Sequence, residues 1–464
     1  MPDYQVPPNS EDTWLRSRIK RHVSELLRLA GPIIVSRMGI LGLMTADTVM
    51  VGRFSASELA YQSIGTALII PVLLTFMGFI MGTIVVVSNH YGAGEFEDCG
   101  RAWRRAVPYA TVLGVIALGF SYFGSTWLSL SGQTPVLSER GGAVMQITGY
   151  GLPAHLIFLA SAFFLDGIRR PKPAMVLMIV ANILNVFLNW AFIYGEFGFS
   201  ANGAEGAAWA TTVARWVLAL GAIGYVWLMS DHEVYGVRYA AGGGWKAWSD
   251  QRNLGYATGI SIGVESMSFA VLAIYAGWLG EDALAAYSIA LNVLAIFFML
   301  AIGFGSATAV RVGIAYGRKD LPDMMLAGWV GLGVAVSALA AVSVVLFGFS
   351  GEISHLYSGD ADVVSLAAPV IAFIGYVLIF DGGQAVMSNV LRGRRDVWVP
   401  SLIQTISFVL VMIPFSWMFA FPFGYGPLGL FYGIFIGAFV SLVLQGGRFH
   451  QLGQRDVFNA SRGL

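Results

Sequence analysis

Long apolar runs alternate with short polar breaks along the whole chain, and this alternation predicts helices that cross a lipid bilayer. A crossing takes roughly 20 apolar residues at a rise of about 1.5 Å per residue. Runs of about this length or longer, bounded by charged residues or by Gly and Pro, occur twelve times. The predicted spans cover residues 29–52, 60–88, 105–127, 145–166, 174–194, 205–228, 254–279, 285–310, 325–349, 366–390, 399–420 and 426–447.

Basic residues indicate which side of the membrane each loop faces. They concentrate near the N-terminus and in the loops that share its side, such as Arg101–Arg105, Arg169–Lys172 and Arg392–Arg395. The loops on the opposite side hold only Arg53 and Arg140. Because loops rich in Lys and Arg stay in the cytoplasm, we expect a multi-pass protein of the cytoplasmic (inner) membrane with both termini in the cytoplasm.

The composition supports the membrane class and excludes some chemistry. Of the 464 residues, 56% are hydrophobic and 12% are charged, whereas about a quarter of the residues in an average soluble domain are charged. The formal net charge is zero, so no overall charge favours nucleic acid as a partner. Cys99 is the single cysteine, which excludes an intrachain disulfide and a cysteine-based metal cluster.

The two halves of the sequence resemble each other weakly. Leu59–Ile64 returns as Ala285–Ala290, and His90–Gly92 returns as Ala315–Gly317, at a nearly constant offset of about 226 residues. With six spans in each half, both halves start on the same side of the membrane. The predicted fold class is therefore an all-α polytopic membrane protein of twelve transmembrane helices, in two six-helix bundles related by pseudo-two-fold symmetry. Two such bundles around a central cleft suit alternating access.

This repeat divides the chain into four regions. Residues 1–24 form an N-terminal cytoplasmic arm, residues 25–229 form the first lobe, residues 230–252 form a cytoplasmic linker, and residues 253–464 form the second lobe with a short cytoplasmic C-terminus. The arm has basic residues but no apolar core and no small-residue cleavage site. We therefore interpret it as a disordered or interfacial segment and not as a signal peptide.

Three carboxylates fall well inside predicted spans and lack a basic neighbour at helical spacing: Asp47 in span 1, Glu265 in span 7 and Asp381 in span 10. An ionised side chain in hydrocarbon is costly unless it faces water, a partner or an ion, so each is a candidate functional residue. Asp166 differs because it lies at the end of span 4, three residues before Arg169. We expect these two residues to form an interfacial salt bridge.

Amides and hydroxyls accompany the carboxylates. The polar residues of spans 5 and 6 are Asn182, Asn185, Asn189, Thr211 and Thr212. The three asparagines share one face of their helix, a pattern that hydrogen bonds between helices also explain. Because carboxylate, amide and hydroxyl oxygens suit small cations, Asp47 with these amides can bind Na⁺, carry H⁺ or do both. Glu265 and Asp381 are candidate ligands of Na⁺ as well.

Three further polar residues inside the spans are candidates for a substrate cleft. Gln384 follows Asp381 by one turn, while Arg37 and Arg215 are the arginines within spans 1 and 6. For the two arginines, an ion pair between helices or a side chain that reaches the membrane surface is the alternative.

Enzyme chemistry has no support in the sequence. The chain lacks the G-x-x-x-x-G-K-[ST] motif of ATP-driven proteins and the H-E-x-x-H motif of zinc hydrolases. We therefore expect a protein that is not an enzyme and that has no cofactor apart from a coupling ion, Na⁺ or H⁺.

Three motifs, taken in order, resemble signatures of the multidrug and toxic compound extrusion (MATE) family. They are Ala46–Gly52, then Asn185–Asn189 followed by Gly203–Thr212, and Leu391–Gly393. The pair Glu265 and Asp381 is similar to the NorM-type branch. Two positions depart from the family pattern: Asn189 stands where an Asp is frequent, and Val377 stands where some members have a Tyr.

The resemblance implies a V-shaped pair of lobes that exports bulky organic compounds, often cationic and aromatic, in exchange for Na⁺ or H⁺. By motif, it also implies a first-lobe cation site formed by Asp47, Asn185, Asn189 and one of Thr211 and Thr212. Glu265 and Asp381 correspond to the second-lobe cation site. The expected partners are small organic cations and the lipid bilayer, and the protein is expected to be monomeric.

Two other functions are compatible with a membrane bundle. A lipid-linked oligosaccharide flippase of the same broad fold group would need a cleft lined with Arg and Lys for its anionic substrate, but only Arg37 and Arg215 are available. A channel would need a selectivity filter, and no re-entrant filter motif is present. Cation-coupled export is the leading hypothesis.

Overall fold

The computed structural model describes residues 11–240 and 242–461, and in these residues the secondary structure is helical without strands. Twelve helices are long and apolar enough to cross a membrane, which confirms the predicted number of spans. We number them in chain order: α1 Glu11–Phe54, α2 Ala56–Ala93, α3 Phe96–Tyr122, α4 Pro135–Gly167, α5 Lys172–Tyr194, α6 Gly203–Leu228, α7 Ser249–Leu279, α8 Glu281–Gly317, α9 Leu321–Gly348, α10 Ala361–Gly393, α11 Trp398–Ala420 and α12 Gly426–Ser461.

Three of these spans are interrupted. α2 consists of three consecutive helical segments. α4 breaks at Gly151, two residues before Pro153, and α11 contains the π-helical stretch Ser407–Met412 just before Pro414. Proline removes a backbone donor and crowds the preceding turn, so the helix before it loosens. Two short helices, Gly124–Leu130 and Ser350–Tyr357, lie in loops.

The largest cluster of buried side chains spans both halves, from Leu29 and Phe158 to Val310 and Val390, and further clusters lie within a single half. In the second half, one cluster of buried side chains gathers residues of α7 to α12, including Leu272, Tyr287 and Phe431. In the first half, smaller clusters join residues such as Val51 of α1 and Val144 of α4. Helices α1 to α6 and α7 to α12 pack as two bundles that share the largest cluster.

The bundles meet near the face that carries both chain ends. There α2 crosses α7 so closely that a Cβ atom on Gly78 would lie 2.5 Å from the Cα atom of Gly259. Small residues permit this approach between helix backbones. Asn89 of α2 also donates hydrogen bonds from Nδ2 to the carbonyls of Gly313 at 3.3 Å and Gly393 at 3.0 Å. The two bundles are thus held together on this face.

The N-terminal arm is helical where it is described, which excludes the disordered alternative for those residues and leaves the interfacial one as a prediction. Residues 1–10 lie outside the described residues, but from Glu11 onward the arm is the first part of α1. Arg21 and His22 reach Asp323 of α9 at 2.6 and 3.0 Å. These contacts fix the arm because Asp323 is buried and needs positively charged or hydrogen-bonding partners.

The linker is also shorter than expected. A 3₁₀ turn over Trp245–Trp248 leads directly into α7 at Ser249, so residues 249–252 belong to the helix. The Arg252 guanidinium lies 3.8 Å from the ring centre of Trp245 and 4.5 Å from that of Trp248. This stacking of a cation on two indoles holds the start of α7 in place.

Candidate cation-binding sites

The first site surrounds Asp47, where α1, α5 and α6 meet. The Asp47 side chain lies inside the protein, with the residue only 6% exposed. Asn189 and Asn185 of α5 donate from Nδ2 to its Oδ1 at 2.7 and 3.2 Å, and the Thr211 hydroxyl of α6 donates to its Oδ2 at 2.5 Å. Asn185 and Asn189 can both reach the carboxylate because residues four apart lie on one helix face.

Hydrogen bonds, and not an ion pair, accompany this carboxylate. Within residues 11–240 and 242–461, no Lys, Arg or His nitrogen comes within 4.0 Å of Asp47. Arg215, one turn after Thr211, attracts Asp47 electrostatically from farther away. Its Nε and Nη1 atoms are themselves buried without a hydrogen-bond partner. The charge of Asp47 is therefore stabilised by the dipoles of its amide and hydroxyl partners. A bound cation could provide this stabilisation instead.

The same side chains offer oxygen ligands. Besides the carboxylate, the Asn185 carbonyl and the Thr211 hydroxyl point into the cluster through hydrogen bonds with Asn189 and Asn185. The Oδ1 atom of Asn189 is buried and has no hydrogen-bond partner. Side-chain oxygens from three helices match the ligand chemistry of a small hard cation.

Two polar residues next to this cluster have other partners. Thr212 donates from Oγ1 to the Ile147 carbonyl at 3.0 Å, so Thr211 is the threonine that reaches Asp47. Asn182 donates to the Gly39 carbonyl at 3.0 Å and thereby joins α5 to α1.

The second site contains Glu265 of α7 and Asp381 of α10. Asp381 is 2% exposed, and Gln384 donates from Nε2 to its Oδ1 at 3.3 Å. Glu265 accepts a hydrogen bond at 2.7 Å from Nε2 of Gln404, on α11. Asp381 is close enough to Glu265 that the two carboxylates would repel each other if both were ionised. A shared cation or proton would relieve this repulsion.

Four residues of this region were not predicted as site residues. Arg392 attracts Glu265 and donates to the Ser261 hydroxyl at 3.3 Å. Gln404 binds Glu265, while Ser441 and Gln445 of α12 extend the hydrogen bonds behind Gln384. A search of the sequence for polar residues inside apolar spans, which identified Asp47, would also have identified Gln404 and Gln445.

The candidate cleft residues Arg37 and Gln384 are buried, and each has a partner in its own half. Arg37 donates to Asp166 at 3.4 Å and lies 4.9 Å above the Phe163 ring, so the ion pair between helices is the interpretation that fits. The expected Asp166–Arg169 salt bridge is wrong, because Asp166 points into the bundle towards Arg37. Arg169 pairs with Glu25 at 3.3 Å instead.

Comparison with known proteins gives consistent matches. The MatE family model matches residues 32–191 and again residues 258–418, one stretch in each half. The chain is 34% identical over 442 residues to a Caulobacter vibrioides protein named "Probable multidrug resistance protein NorM", covering 95% of this chain and 94% of that protein. It is 30% identical to "Multidrug resistance protein PmpM" of Pseudomonas aeruginosa, covering 90% of this chain and 89% of that protein.

Solved structures share the fold. The crystal structure of the eukaryotic MATE transporter AtDTX14 gives a TM-score of 0.85 at 19% identity and covers 95% of this chain and 99% of that chain. An outward-facing structure of a multidrug resistance MATE family transporter also gives 0.85, at 18% identity, covering 93% and 96%.

Proposed function

This chain belongs to the MatE family of membrane transporters, and we propose that it is a secondary active exporter that exchanges organic compounds, often cationic and aromatic, for Na⁺ or H⁺. The relatives named multidrug resistance proteins support this proposal. The observation that carries it is the buried carboxylate of Asp47, which is held by amides and a hydroxyl without an ion-pair partner within the described residues. A bound cation lowers the free energy of a buried carboxylate that has no basic partner. When the cation leaves, the carboxylate is again free to bind another.

The interface between the bundles supports a direction for the exchange. The Lys and Arg distribution favours the face with both chain ends as cytoplasmic. The bundles meet at Ile34, which packs against Gly303, and Asp47 lies 13 residues, or about 20 Å, farther along α1. Asp47 is thus on the far side of the closed interface, where a cation from outside would reach it first. Rocking of one bundle against the other would then expose the sites to the cytoplasm.

The membrane potential drives this exchange whenever more positive charge enters the cell than leaves it. Each net positive charge that moves inward across 100 mV releases about 2.3 kcal/mol. This free energy corresponds to a concentration ratio of roughly 50 for the exported compound. A Na⁺ or H⁺ concentration gradient would add to it.

We favour an exporter over a flippase for lipid-linked oligosaccharides because of the charges inside the bundles. Arg37 forms an ion pair with Asp166, and Arg392 lies near Glu265. An anionic substrate would therefore meet carboxylates and partnered arginines, and Arg215 is the exception, because its Nε and Nη1 atoms have no hydrogen-bond partner.

The decisive experiment is efflux of a fluorescent dye cation from proteoliposomes under Na⁺ and H⁺ gradients that are imposed separately. We would compare the wild type with Asp47→Asn, Glu265→Gln and Asp381→Asn. Glu352→Gln is the matched control, since Glu352 is an exposed acid in the loop after α9. We expect Asp47→Asn to abolish gradient-driven efflux, while the control transports like the wild type.

Folding must be checked in parallel by size-exclusion chromatography and thermal unfolding in detergent. A folded Asp47→Asn protein that transports at the wild-type rate would refute the proposal. An ohmic current through the wild type under a substrate gradient would indicate a channel instead.

A further inference from the structure

A basic pocket opens between α1, α6 and the turn that joins α4 to α5, on the face that carries the chain ends. Its volume is about 440 Å³, within the range of small-molecule sites. Its polar lining consists of Glu25, Arg28, Tyr91, Arg169, Arg170, Lys172 and Tyr225. Four cationic side chains therefore face one carboxylate.

Two of the four cations have acidic partners, although Glu25, the partner of Arg169, also pairs with Arg311. Arg169 pairs with Glu25 at 3.3 Å. Arg170 donates two hydrogen bonds to Asp231, at 2.8 and 2.7 Å, and these bonds raise the pKa of Arg170. Arg28 and Lys172 are exposed and have no carboxylate within 4.0 Å among the described residues. The pocket thus keeps two positive charges without a protein counter-ion.

The corresponding turn of the second half is built differently. Arg395 has the same left-handed backbone conformation as Arg169, with φ of 67° against 65°. However, Asp396 occupies the position that corresponds to Arg170, and it binds Arg448 at 3.0 Å. Arg394 pairs with Asp456 at 2.9 Å. Excess positive charge is therefore a property of the first-half turn and is not required by the fold of the turn.

The surroundings of the pocket indicate where its ligand comes from. Apolar residues close in sequence to its lining are exposed: Leu27, which precedes Arg28, is 50% exposed, and Leu228, three residues after Tyr225, is 74% exposed. Tyr225, in the pocket wall, and Trp227 are also exposed, and these aromatic types concentrate at membrane–water interfaces. The pocket therefore lies where a helical bundle meets lipid headgroups.

We propose that this pocket binds the phosphate of an anionic phospholipid headgroup. Arg28 and Lys172 supply the two free positive charges, and the hydroxyls of Tyr91 and Tyr225 supply hydrogen-bond donors at its wall. Basic pockets between transmembrane helices are suited to such headgroups because charge attraction and burial of the acyl chains act together. Free phosphate esters share the headgroup chemistry but lack the acyl chains.

The test is native mass spectrometry of the purified full-length protein with equal amounts of phosphatidylglycerol and phosphatidylcholine that carry identical acyl chains. We expect the wild type to retain phosphatidylglycerol preferentially. The double variant Arg28→Gln/Lys172→Gln should lose roughly thirtyfold in affinity for it, since each basic residue near a headgroup contributes a several-fold factor. Affinity for phosphatidylcholine should change much less, because its choline cation offsets the charge of its phosphate.

A matched control removes the same charge elsewhere on this face. Arg455→Gln/Lys246→Gln changes one exposed arginine and one exposed lysine outside the pocket, and it should retain phosphatidylglycerol like the wild type. Equal retention by the wild type and the pocket variant would overturn the proposal. So would saturable binding of glycerol 3-phosphate at the same affinity as the lipid, because the site would then be one for soluble phosphate esters. Thermal unfolding without added lipid verifies that each variant is folded, and no step of the test depends on transport.

Discussion

The side-chain amide of Asn189 is a donor to Asp47 on one side and an unpaired acceptor on the other. Its Nδ2 lies 2.7 Å from Oδ1 of Asp47, whereas its own Oδ1 is buried and lacks a hydrogen-bond partner. An unsatisfied buried acceptor is costly, and in a native structure it calls for an explanation. A cation beside Asp47 would supply the missing partner.

This relationship predicts different outcomes for two asparagines of α5. Asn189→Ala removes a donor and a potential oxygen ligand at Asp47, so the cation concentration for half-maximal efflux should rise about tenfold. Asn182→Ala removes a similar side chain that binds the Gly39 carbonyl, so that concentration should stay within about twofold of the wild type. Dye efflux measured over a series of cation concentrations checks both variants. Equal effects would contradict the assignment of Asn189 to the site.

The neighbouring threonines of α6 provide a second matched pair. Thr211 donates to the Asp47 carboxylate, whereas Thr212 donates to the Ile147 carbonyl. Thr211→Val should slow cation-driven efflux at least tenfold, because hydrogen bonds to charged groups contribute about 1.5–3 kcal/mol. Thr212→Val should keep the efflux rate and lower only the free energy of unfolding, by about 1 kcal/mol. Initial efflux rates and unfolding curves in detergent distinguish the two effects, and a slow Thr212→Val protein would be inconsistent with this geometry.

The buried ion pair of Arg37 and Asp166 predicts strong non-additivity. Arg37→Met or Asp166→Asn alone leaves a buried partner without compensation, and we expect a loss of about 3–5 kcal/mol in stability. The double variant Arg37→Met/Asp166→Asn should recover most of this loss and should still transport. Thermal unfolding of the four proteins in a double-mutant cycle measures the coupling. If the double variant is stable but inactive, Arg37 or Asp166 has a role beyond the ion pair.

The contacts of Asp323 predict a shift in the closed interface between the bundles. This carboxylate faces Arg21 and His22 of the first bundle and Arg318 of its own. Asp323→Asn leaves these basic groups without their shared counter-ion, so their repulsion should favour separation of the bundles on this face.

Spin labels at Glu97→Cys and Lys319→Cys, in a Cys99→Ser background, would measure that separation by electron–electron double resonance. We expect a larger population of long distances for Asp323→Asn than for the wild type. Asp282→Asn, an exposed acid at the start of α8 on the opposite face, is the control and should leave the distances unchanged. An unaltered distance distribution in Asp323→Asn would show that the ion pairs do not hold the interface closed.

The sequence by itself determined the features that depend on one helix at a time. The lengths of the apolar runs gave twelve spans, because a bilayer sets the length of any helix that crosses it. The spacing of Asn185 and Asn189 placed both amides on one face of α5, because the helical period is fixed. The burial of Asp47 followed from its position within an apolar run.

Only the tertiary structure decided which side chains meet across helices. Thr211 and not Thr212 reaches Asp47, Arg37 and not Arg169 pairs with Asp166, and Gln404 completes the environment of Glu265. These partners depend on the rotation and depth at which one helix packs against another, and the periodicity of a single helix does not specify either quantity. The basic pocket likewise exists because α1, α6 and the turn before α5 converge, although their residues are far apart in the sequence.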